Sequence, residues 1–333
     1  MTGRGGALAA GLALAGTAWA VRRAWPGEAL HGQVALVTGG SRGLGFLLAR
    51  GLLREGCTVA ICARDAEHLD RARERLARET GGDVAAFTCD VADAGAVADM
   101  VDAIVERFGR LDIVVNNAAI IQVGPLETLE LHDFRYAVDV ACFGILHTTL
   151  AALPHMRAAG GGRIANVTSI GGTVAIPHLL SYDTAKFAAV GLSDGLRAEL
   201  APHGIRVTTL VPGLMRTGSP VHVEYRGRPA AEYVWFTLGD LLPLTSMSAE
   251  RAAARMVRAI RRGEARVTLS WQAKLLRVGQ AALPGGMARL MGLVTRLLPD
   301  AGGRAAAWGV ELRGTLPTVV ESALDRAAQR ANQ

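Results

Sequence analysis

The chain has 333 residues, of which 50% are hydrophobic, with 36 Lys and Arg against 30 Asp and Glu, and it contains 40 glycines. This length can bury a sizeable core in one large domain or two modest ones, which argues against a disordered chain and against a disulfide scaffold. The glycines have no three-residue period, which excludes a collagen-like protein.

The formal net charge of +6 is distributed unevenly along the chain. Residues 1–247 carry 22 basic and 24 acidic side chains, whereas residues 248–333 carry 14 and 6. Arginine accounts for 34 of the 36 basic side chains, and the two lysines are Lys186 and Lys274. In such a chain, a lysine is a candidate for chemistry that requires a compact ammonium group.

The cysteines and histidines give no metal signature. Cys57, Cys62, Cys89 and Cys142 form no C-x-x-C pair, and the eight histidines form no H-E-x-x-H pattern. The cysteines lie in apolar stretches, so we expect buried thiols in a reducing compartment and no metal site.

An uncharged, helix-permissive stretch lies near the N-terminus, at residues 6–21 between Arg4 and the pair Arg22 and Arg23. It is short for a membrane span, which needs about 20 residues. Three interpretations are open: a signal peptide cleaved after a small-x-small site at 18–20, an uncleaved anchor, or a soluble helix. We favour the anchor, with Arg22 and Arg23 holding the following domain on the cytoplasmic side of the membrane. A soluble cytoplasmic protein is the alternative.

From residue 33 the sequence alternates between short apolar strands and amphipathic helices. Strands are predicted at 33–38, 58–62, 84–89, 113–115, 163–167, 206–211 and 265–269, and the first helices at 45–54 and 65–79. This alternation is typical of βαβ units that build a parallel sheet covered on both faces. We therefore predict an α/β fold with a Rossmann-like doubly wound parallel sheet in a single domain.

The C-terminal third differs in character. Residues 218–247 are predicted to be irregular and Ser248 to cap a helix. Residues 271–298 are predicted to form two amphipathic helices separated by Pro284-Gly285-Gly286. The stretch from residue 300 is polar, and we expect it to be loosely held. The predicted divisions are an N-terminal hydrophobic segment or anchor (1–30), an α/β domain (31–270) and a basic amphipathic extension (271–333).

The first strand leads into a glycine-rich turn that opens a helix, with the sequence Thr38-Gly39-Gly40-Ser41-Arg42-Gly43-Leu44-Gly45. Glycines permit a tight turn and let backbone N–H groups approach a pyrophosphate, while the helix N-terminus adds partial positive charge. The turn therefore predicts a dinucleotide site, with a purely structural turn as the alternative.

The end of the second strand bears on the choice of coenzyme. NAD sites usually place an acid there for the ribose 2′-hydroxyl, but this sequence has Ala63 followed by Arg64. Arg64 and Arg42 can bind a 2′-phosphate between them, which favours NADP(H). The alternative is that both arginines are solvated surface charges.

Five motifs follow the predicted strands in one order. They are the glycine turn 38–45, Asn116-Asn117-Ala118-Ala119, Ser169, Tyr182-Asp183-Thr184-Ala185-Lys186 and Pro212-Gly213. Together they resemble the short-chain dehydrogenase/reductase family over about residues 31–270. The resemblance implies an NAD(P)-dependent oxidoreductase acting on CH–OH groups, with Ser169, Tyr182 and Lys186 as its catalytic residues, working as a homodimer or homotetramer.

The chemistry of these three residues agrees with that resemblance. Hydride transfer to a ketone leaves an alkoxide, so an acid must supply a proton. Tyr182 can supply it if its pKa falls from about 10 toward neutrality, which the Lys186 ammonium one helical turn away would favour. Ser169 can hydrogen-bond the carbonyl oxygen. A packing tyrosine and a solvated lysine are the alternative.

The resemblance also assigns a set of coenzyme-binding positions. They are Thr38, Gly39, Ser41, Arg42, Gly43, Leu44, Gly45, Arg64, Asp90, Val91, Asn117, Ala118, Tyr182, Lys186, Pro212, Gly213 and Thr217. Among them, Asp90 is expected to contact the adenine and Thr217 the nicotinamide carboxamide. For Asp90, a helix N-cap is the alternative.

Two positions depart from the family pattern. Ala119 replaces the glycine of the usual N-N-A-G motif, and Ala141 stands where the family normally has an asparagine that holds a water in a proton relay to the lysine. The alanine side chain makes no hydrogen bond, so the usual relay is in doubt.

The substrate side is predicted from residues 214–247, which are rich in apolar and aromatic side chains interspersed with His222, Glu224, Arg226 and Arg228. The apolar set is Val221, Val223, Tyr225, Tyr233, Val234, Trp235, Phe236, Leu238, Leu241 and Leu242. An apolar lid suits a lipophilic ketone or alcohol of the steroid, retinoid or long-chain 3-keto lipid type. The alternative is that these residues pack the lid down or form a dimer contact.

Residues 271–298 contain four basic side chains and no acidic one. Their apolar stripes suit an anionic membrane interface, although a subunit interface or packing on the core would use the same stripes. A nucleic-acid partner is disfavoured, because the charge lacks aromatic stacking residues. The predicted function is an NADP(H)-dependent ketone/alcohol oxidoreductase; the alternative is a catalytically weak dinucleotide-binding regulator.

Overall fold

A seven-stranded parallel sheet forms the centre of the computed structural model, which describes residues 27–242 and 244–333. The hydrophobic stretch 6–21 lies outside the described residues, so its interpretation as an anchor stays a prediction. The described strands are β1 (Val34–Thr38), β2 (Thr58–Ala63), β3 (Val84–Thr88), β4 (Ile113–Asn116), β5 (Gln122–Val123), β6 (Gly162–Val167), β7 (Ile205–Val211), β8 (Leu214–Arg216), β9 (Glu224–Gly227), β10 (Ser246–Ser248), β11 (Arg266–Thr268) and β12 (Ala305–Trp308).

The α-helices lie between and after these strands. They are α1 (Gly43–Arg54), α2 (Ala66–Thr80), α3 (Ala94–Phe108), α4 (Leu131–Val138), α5 (Gly144–Ala158), α6 (Leu180–Leu200), α7 (Pro229–Leu241), α8 (Ala249–Arg262), α9 (Trp271–Ala282), α10 (Pro284–Thr295) and α11 (Thr318–Arg330). The helix starts follow the sequence signals: Asp65 caps α2, Asp93 caps α3, and Ser248 caps α8 as predicted.

The central sheet has the strand order β3-β2-β1-β4-β6-β7-β11, and all neighbouring strands are parallel. All five residues of β1 are buried, as expected for a strand covered on both faces. Helices α1, α2 and α8 pack on one face, and α3, α5 and α6 on the other. The predicted Rossmann-like doubly wound fold is confirmed, and its strand order reverses between β1 and β4, where such sheets bind ligands.

The prediction of an irregular segment at 218–247 is wrong in part. Helix α7 occupies residues Pro229–Leu241, and β9 lies before it. Pro229 is the first residue of α7, a position where the missing N–H costs nothing, so this proline begins the helix rather than breaking it.

The expectation of a loosely held tail beyond residue 300 is also wrong. Strand β12 pairs antiparallel with β9, which pairs in turn with β5 to form a three-stranded sheet. Helix α11 buries Leu324, Ala327 and Ala328, and Ala331 reaches the main core. These small apolar residues recur at helical spacing, a pattern that the polar average of the tail concealed.

The two helices predicted within 271–298 are present as α9 and α10, but the break lies at Leu283. The predicted break at Pro284-Gly285-Gly286 is wrong, because Pro284 is the first residue of α10 and proline is tolerated at that position. Within the described residues, one helical stretch, Leu131–Ala158, is long and apolar enough to cross a bilayer. Half of its most apolar window is buried inside the protein, where α5 packs against the central sheet, so the stretch has the surroundings of a core helix.

Candidate active site

The glycine turn between β1 and α1 is closed so tightly that side chains do not fit. A Cβ atom on Gly45 would lie 2.1 Å from the carbonyl oxygen of Gly39, and Gly39 and Gly43 have φ angles of 62° and 59°. Thr38 joins this turn to the end of β4, because its Oγ1 accepts hydrogen bonds from the backbone N–H groups of Asn117 (2.9 Å) and Ala118 (3.1 Å). The turn and the Asn-Asn-Ala-Ala segment therefore form one rigid edge.

Helix α1 presents its first amides to this edge. Phe46 donates its N–H to the carbonyl oxygen of Arg42 at 3.2 Å, which is the first helical hydrogen bond. The amides of Leu44 and Gly45 precede it, and such first-turn N–H groups attract anions, whereas the Gly43 N–H donates to the carbonyl oxygen of Ala331. This geometry fits the phosphates of a dinucleotide.

Arg42 and Arg64 lie near each other beside the turn. The Arg64 guanidinium lies 5.9 Å from the centroid of the Tyr136 ring, donates a hydrogen bond to the Tyr136 hydroxyl, and has a nitrogen 4.0 Å from a carboxylate oxygen of Asp90. Burial first, and then the positive charge of Arg64, lower the pKa of Arg42. Two neighbouring guanidiniums with no acid at Ala63 fit a ribose 2′-phosphate.

Asp90 lies at the same side of the turn but is not a helix N-cap. Its Oδ1 accepts the N–H of Ala92 at 3.0 Å, whereas Asp93 caps α3. The carboxylate thus shapes the loop that follows β3.

The three proposed catalytic residues meet where β6 ends and α6 begins. Ser169 follows β6, and its Oγ accepts the N–H of Gly171 at 3.0 Å and hydrogen-bonds Tyr182. The Lys186 ammonium lies 5.6 Å from the centroid of the Tyr182 ring and donates to the carbonyl oxygen of Val167 at 2.9 Å. Lys186 is 2% exposed, so it is no solvated surface charge.

The protonation of this group differs from the expectation. Burial raises the pKa of Tyr182 to about 12, although its hydrogen bond with Ser169 acts in the opposite direction. Burial also lowers the pKa of Lys186 to about 8. The expected fall of the tyrosine pKa is therefore wrong for this structure, because the loss of water around the phenol outweighs the hydrogen bond that favours phenolate. Tyr182 is a neutral phenol, the form that donates a proton.

Ala141 lies in a π-helical turn, Asp139–Phe143, between α4 and α5. Its side chain is 2% exposed and packs with Ala137 and Ala185, where an asparagine side chain would have polar atoms to satisfy. A π-turn disturbs the regular helical hydrogen bonding locally and is frequent at functional sites. The π-helical turn is thus present although position 141 is an alanine and not an asparagine.

One cavity of about 650 Å³ brings most of the predicted coenzyme positions together. Its lining includes Gly39, Ser41, Arg42, Gly43, Leu44, Arg64, Asp90, Val91, Asn117, Ala118, Tyr182, Lys186, Pro212 and Thr217. Thr38, Gly45 and Ser169, which are also predicted site residues, are not part of this lining. Gly213 faces away from the cavity, because a Cβ there would lie 2.7 Å from the Ser270 Oγ at the start of α9.

The wall opposite the turn is more polar than predicted. Val221, Val223, Tyr225, Tyr233 and Phe236 are buried in a separate core, and of these only Val223 also lines the cavity. Strand β9 alternates, so its apolar residues pack inward while Glu224 and Arg226 face the cavity. The apolar residues therefore mainly pack the lid down.

A network of hydrogen bonds holds this polar wall. Gln122 Nε2 donates to Asp133 (2.8 Å) and to Glu224 (2.9 Å), and Arg226 forms two hydrogen bonds to Asp133 at 2.7 and 2.8 Å. The His222 Nε2 atom is buried and has no hydrogen-bond partner among the described residues. Burial lowers the pKa of His222 to about 4, so this imidazole is neutral at pH 7.

Several cavity residues escaped the sequence analysis. They are Ile120, Ile121, Gln122, Met215, Trp308 and Gln333. The first three follow the Asn-Asn-Ala-Ala motif directly, so the position of that motif could have indicated them. Trp308 and Gln333 reach the cavity through the folding of the tail, for which the sequence has no local signal.

The comparisons with known proteins agree with this geometry. The sequence profile described as short chain dehydrogenase matches residues 33–224. An oxidoreductase of Mycobacterium tuberculosis named SadH is 33% identical over 279 residues, which cover 83% of this chain and 96% of that protein.

Two solved structures show the same fold. A short-chain dehydrogenase from Streptomyces avermitilis superposes with a TM-score of 0.68 at 29% identity, covering 79% of this chain and 97% of its own. A gluconate 5-dehydrogenase from Burkholderia cenocepacia, solved with NADP and tartrate, has a TM-score of 0.63 at 28% identity and covers 74% and 96%.

Proposed function

Because this chain belongs to the short-chain dehydrogenase family and is an oxidoreductase, we propose that it interconverts a ketone and a secondary alcohol with NADP(H). The observation that carries the proposal is the single cavity in which Tyr182 and Lys186 share a lining with the glycine turn. We assign catalysis to Ser169, Tyr182 and Lys186.

Each of these residues has a distinct task. The nicotinamide supplies or accepts the hydride when the coenzyme is bound. The neutral Tyr182 phenol donates its proton to the developing alkoxide, and Ser169, hydrogen-bonded to it, holds the same oxygen. The buried Lys186 ammonium stabilises the phenolate that remains and is placed to bind the ribose hydroxyls.

The preference for NADP(H) rests on Arg42 and Arg64. The matched experiment compares Arg42→Ala and Arg64→Ala with Arg135→Ala, an exposed arginine of α4 without a described partner. We expect either of the first two variants to weaken NADPH binding at least about 10-fold, as for loss of a charge-assisted hydrogen bond, with NADH binding and the control unchanged. Equal or tighter wild-type affinity for NADH would contradict the assignment.

The substrate that we propose is a lipophilic carbonyl compound or alcohol that also carries a hydrogen-bonding group. Ile120, Ile121 and Trp308 supply apolar lining, whereas the Gln122 amide oxygen and the Glu224 carboxylate supply hydrogen-bond acceptors. NADPH consumption over a panel of steroid, retinoid-type, long-chain 3-keto and small polar carbonyls tests this. Preference for small polyols or hydroxy acids would overturn the lipophilic part.

We also propose that α9 and α10 contact a membrane. Trp271, Leu275 and Val278 are 59–63% exposed on one face of α9, and Leu290, Leu293 and Leu297 are 46–85% exposed on and just after α10. Segment 271–298 has four basic and no acidic side chains, which suits an anionic bilayer.

Co-sedimentation with phosphatidylglycerol vesicles tests the membrane contact. The full chain is expected to sediment with the vesicles. The double variant Leu275→Glu and Val278→Glu is expected to remain in the supernatant while its circular dichroism spectrum matches that of wild type. The control is Val319→Glu at an apolar residue of α11 that is even more exposed than Leu275 and Val278, and this variant should sediment like wild type. Vesicle binding that survives the double substitution would exclude this surface.

Self-association is proposed on a different surface. Phe143, Leu150, Leu180 and Phe187 are 39–57% exposed near or along α5 and α6. Light scattering is expected to show that the wild-type protein is a dimer or tetramer. The double variant Leu150→Glu and Phe187→Glu is expected to be a monomer. A monomeric wild type would contradict this proposal.

The second candidate function is a catalytically weak dinucleotide-binding protein. The observation that favours it is Ala141, which removes the usual side chain of the proton relay. Tight NADPH binding without turnover of any carbonyl in the panel would establish it over the enzyme.

A further inference from the structure

The C-terminal residues of the described chain lie directly on the glycine turn. We call residues 328–333 the C-terminal clasp. The Ala331 carbonyl oxygen accepts the N–H of Gly43 at 2.6 Å, and Asn332 Nδ2 donates to the carbonyl oxygen of Ser41 at 2.7 Å. The turn is thus hydrogen-bonded on both sides of Arg42 to a segment almost 300 residues away in sequence.

The clasp is itself fixed to the body of the protein. Arg75 of α2 donates to the Gln329 carbonyl oxygen (2.9 Å) and to Asn332 Oδ1 (3.2 Å), and it is held by Glu79 at 2.7 Å. Ala331 is 1% exposed within the main core. The contact with the turn therefore belongs to a packed structure rather than to a free chain end.

Close packing couples the clasp to both backbone segments that border the cavity. A Cβ on Gly43 would lie 2.9 Å from Gln333 Nε2, and a Cβ on Gly218 would lie 2.6 Å from the Ala328 Cα. Gly218 directly follows Thr217, and Gln333 lines the cavity. Movement of the clasp would therefore displace the backbone at Gly43 and at Gly218, on two sides of the coenzyme site.

We propose that Asn332 is a positioning residue of the coenzyme site, which fixes the Ser41–Gly43 backbone in the form that receives a phosphate. The clasp uses the Gly43 N–H, and the described hydrogen bonds assign no partner to the amides of Leu44 and Gly45. Holding the turn in advance lowers the ordering cost of binding. This inference rests on the proposed coenzyme site and adds a residue that the family motifs do not contain.

Asn332 is suited to this place by its backbone as well. Its φ angle is 57°, in the left-handed region that asparagine and glycine adopt most readily. Asn332→Gly therefore removes both side-chain hydrogen bonds and leaves the backbone conformation accessible. The matched control is Gln329→Ala, whose exposed side chain makes none of the described contacts.

The experiment measures NADPH affinity, steady-state kinetics and hydrogen exchange on the full chain. In Asn332→Gly we expect Kd and KM for NADPH to rise about 3-fold to 10-fold, the range for one hydrogen bond, with kcat at saturating NADPH little changed. The peptide covering residues 39–46 should exchange faster. Gln329→Ala should match wild type in all three measurements.

Two results would overturn the inference. One is unchanged NADPH affinity in Asn332→Gly with unchanged exchange at 39–46; the other is a lower unfolding temperature without any change of Kd, which is the signature of a merely structural contact. If wild type binds neither NADPH nor NADH, the proposed coenzyme site itself is wrong, and the role of the clasp in it falls too.

Discussion

At the scale of single residues, the protein places an ionisable side chain where burial opposes its charge. Lys186 is 2% exposed, and burial lowers its pKa from 10.5 to about 8. The spacing Tyr182-x-x-x-Lys186 predicts that the two side chains share a helix face, and the structure confirms this. The extent of burial could not be predicted, because it depends on β6 and on the π-turn that close over the lysine.

Replacing Lys186 by methionine is expected to stabilise the protein at pH 7 while it abolishes turnover. The pKa of Lys186 is lower in the folded than in the unfolded protein, so below about pH 8 the charged lysine destabilises the fold. Between about pH 8 and 10.5 only the unfolded state keeps the proton, and the destabilisation disappears as the pH rises through this range. We expect Lys186→Met to gain roughly 2–3 kcal/mol at pH 7 and little at pH 10.5. Urea unfolding at the two pH values measures this; a pH-independent difference would contradict it.

Ala141 offers a second test at this scale. Asn in its place must fit among Ala137 and Ala185, so Ala141→Asn should lower the free energy of unfolding by about 1–3 kcal/mol. It should also change kcat or its pH dependence, because it restores the amide that the family uses in its proton relay. An unchanged pH profile would show that position 141 takes no part in proton transfer.

At the scale of elements, the lid helix α7 is fastened to the loop before the catalytic helix α6. His178 has a left-handed φ of 66° and its Nδ1 lies 2.8 Å from Glu232 Oε1, while Trp235 Nε1 donates to the other Glu232 oxygen. Glu232 is 0% exposed and His178 8%. This contact joins residues 54 apart and lies four residues before Tyr182, so it fixes the cavity wall relative to the catalytic tyrosine.

Removing the carboxylate of Glu232 is expected to destabilise the fold. Glu232→Ala leaves His178 and the Trp235 indole N–H buried without this partner, which should cost about 3–5 kcal/mol in the free energy of unfolding. Glu127→Ala, an exposed acid, should stay within about 0.5 kcal/mol of wild type. Urea denaturation decides; equal stability of the two variants would show that the contact contributes nothing.

The elements that sequence patterns predict are those with local signals. Strand β1, the glycine turn and α2 follow from an apolar run, a motif and a capping Asp65. The predictions for the lid and the tail are wrong because β9 forms by pairing with both β5 and β12, and β12 forms by pairing with β9. Such long-range pairing depends on the tertiary structure, and segments of four residues carry no local sequence signal for it.

At the scale of the whole molecule, the reversal of strand order between β1 and β4 determines where the chemistry lies. It brings the glycine turn, the Asn-Asn-Ala-Ala segment and the β6–α6 residues to one edge of the sheet, where Gln333 of the C-terminal clasp also lines the cavity. The basic excess of the chain belongs to residues 248–333, part of which presents the exposed apolar faces of α9 and α10.

The most direct test of the central claim compares wild type with Tyr182→Phe for NADPH binding and for NADPH consumption over the carbonyl panel. We predict that both proteins bind NADPH with equal affinity and that the variant loses about 10²-fold to 10⁴-fold in turnover, the usual contribution of a general acid. Turnover by Tyr182→Phe at the wild-type rate would contradict the assignment of Tyr182 as the proton donor and, with it, the proposed active site.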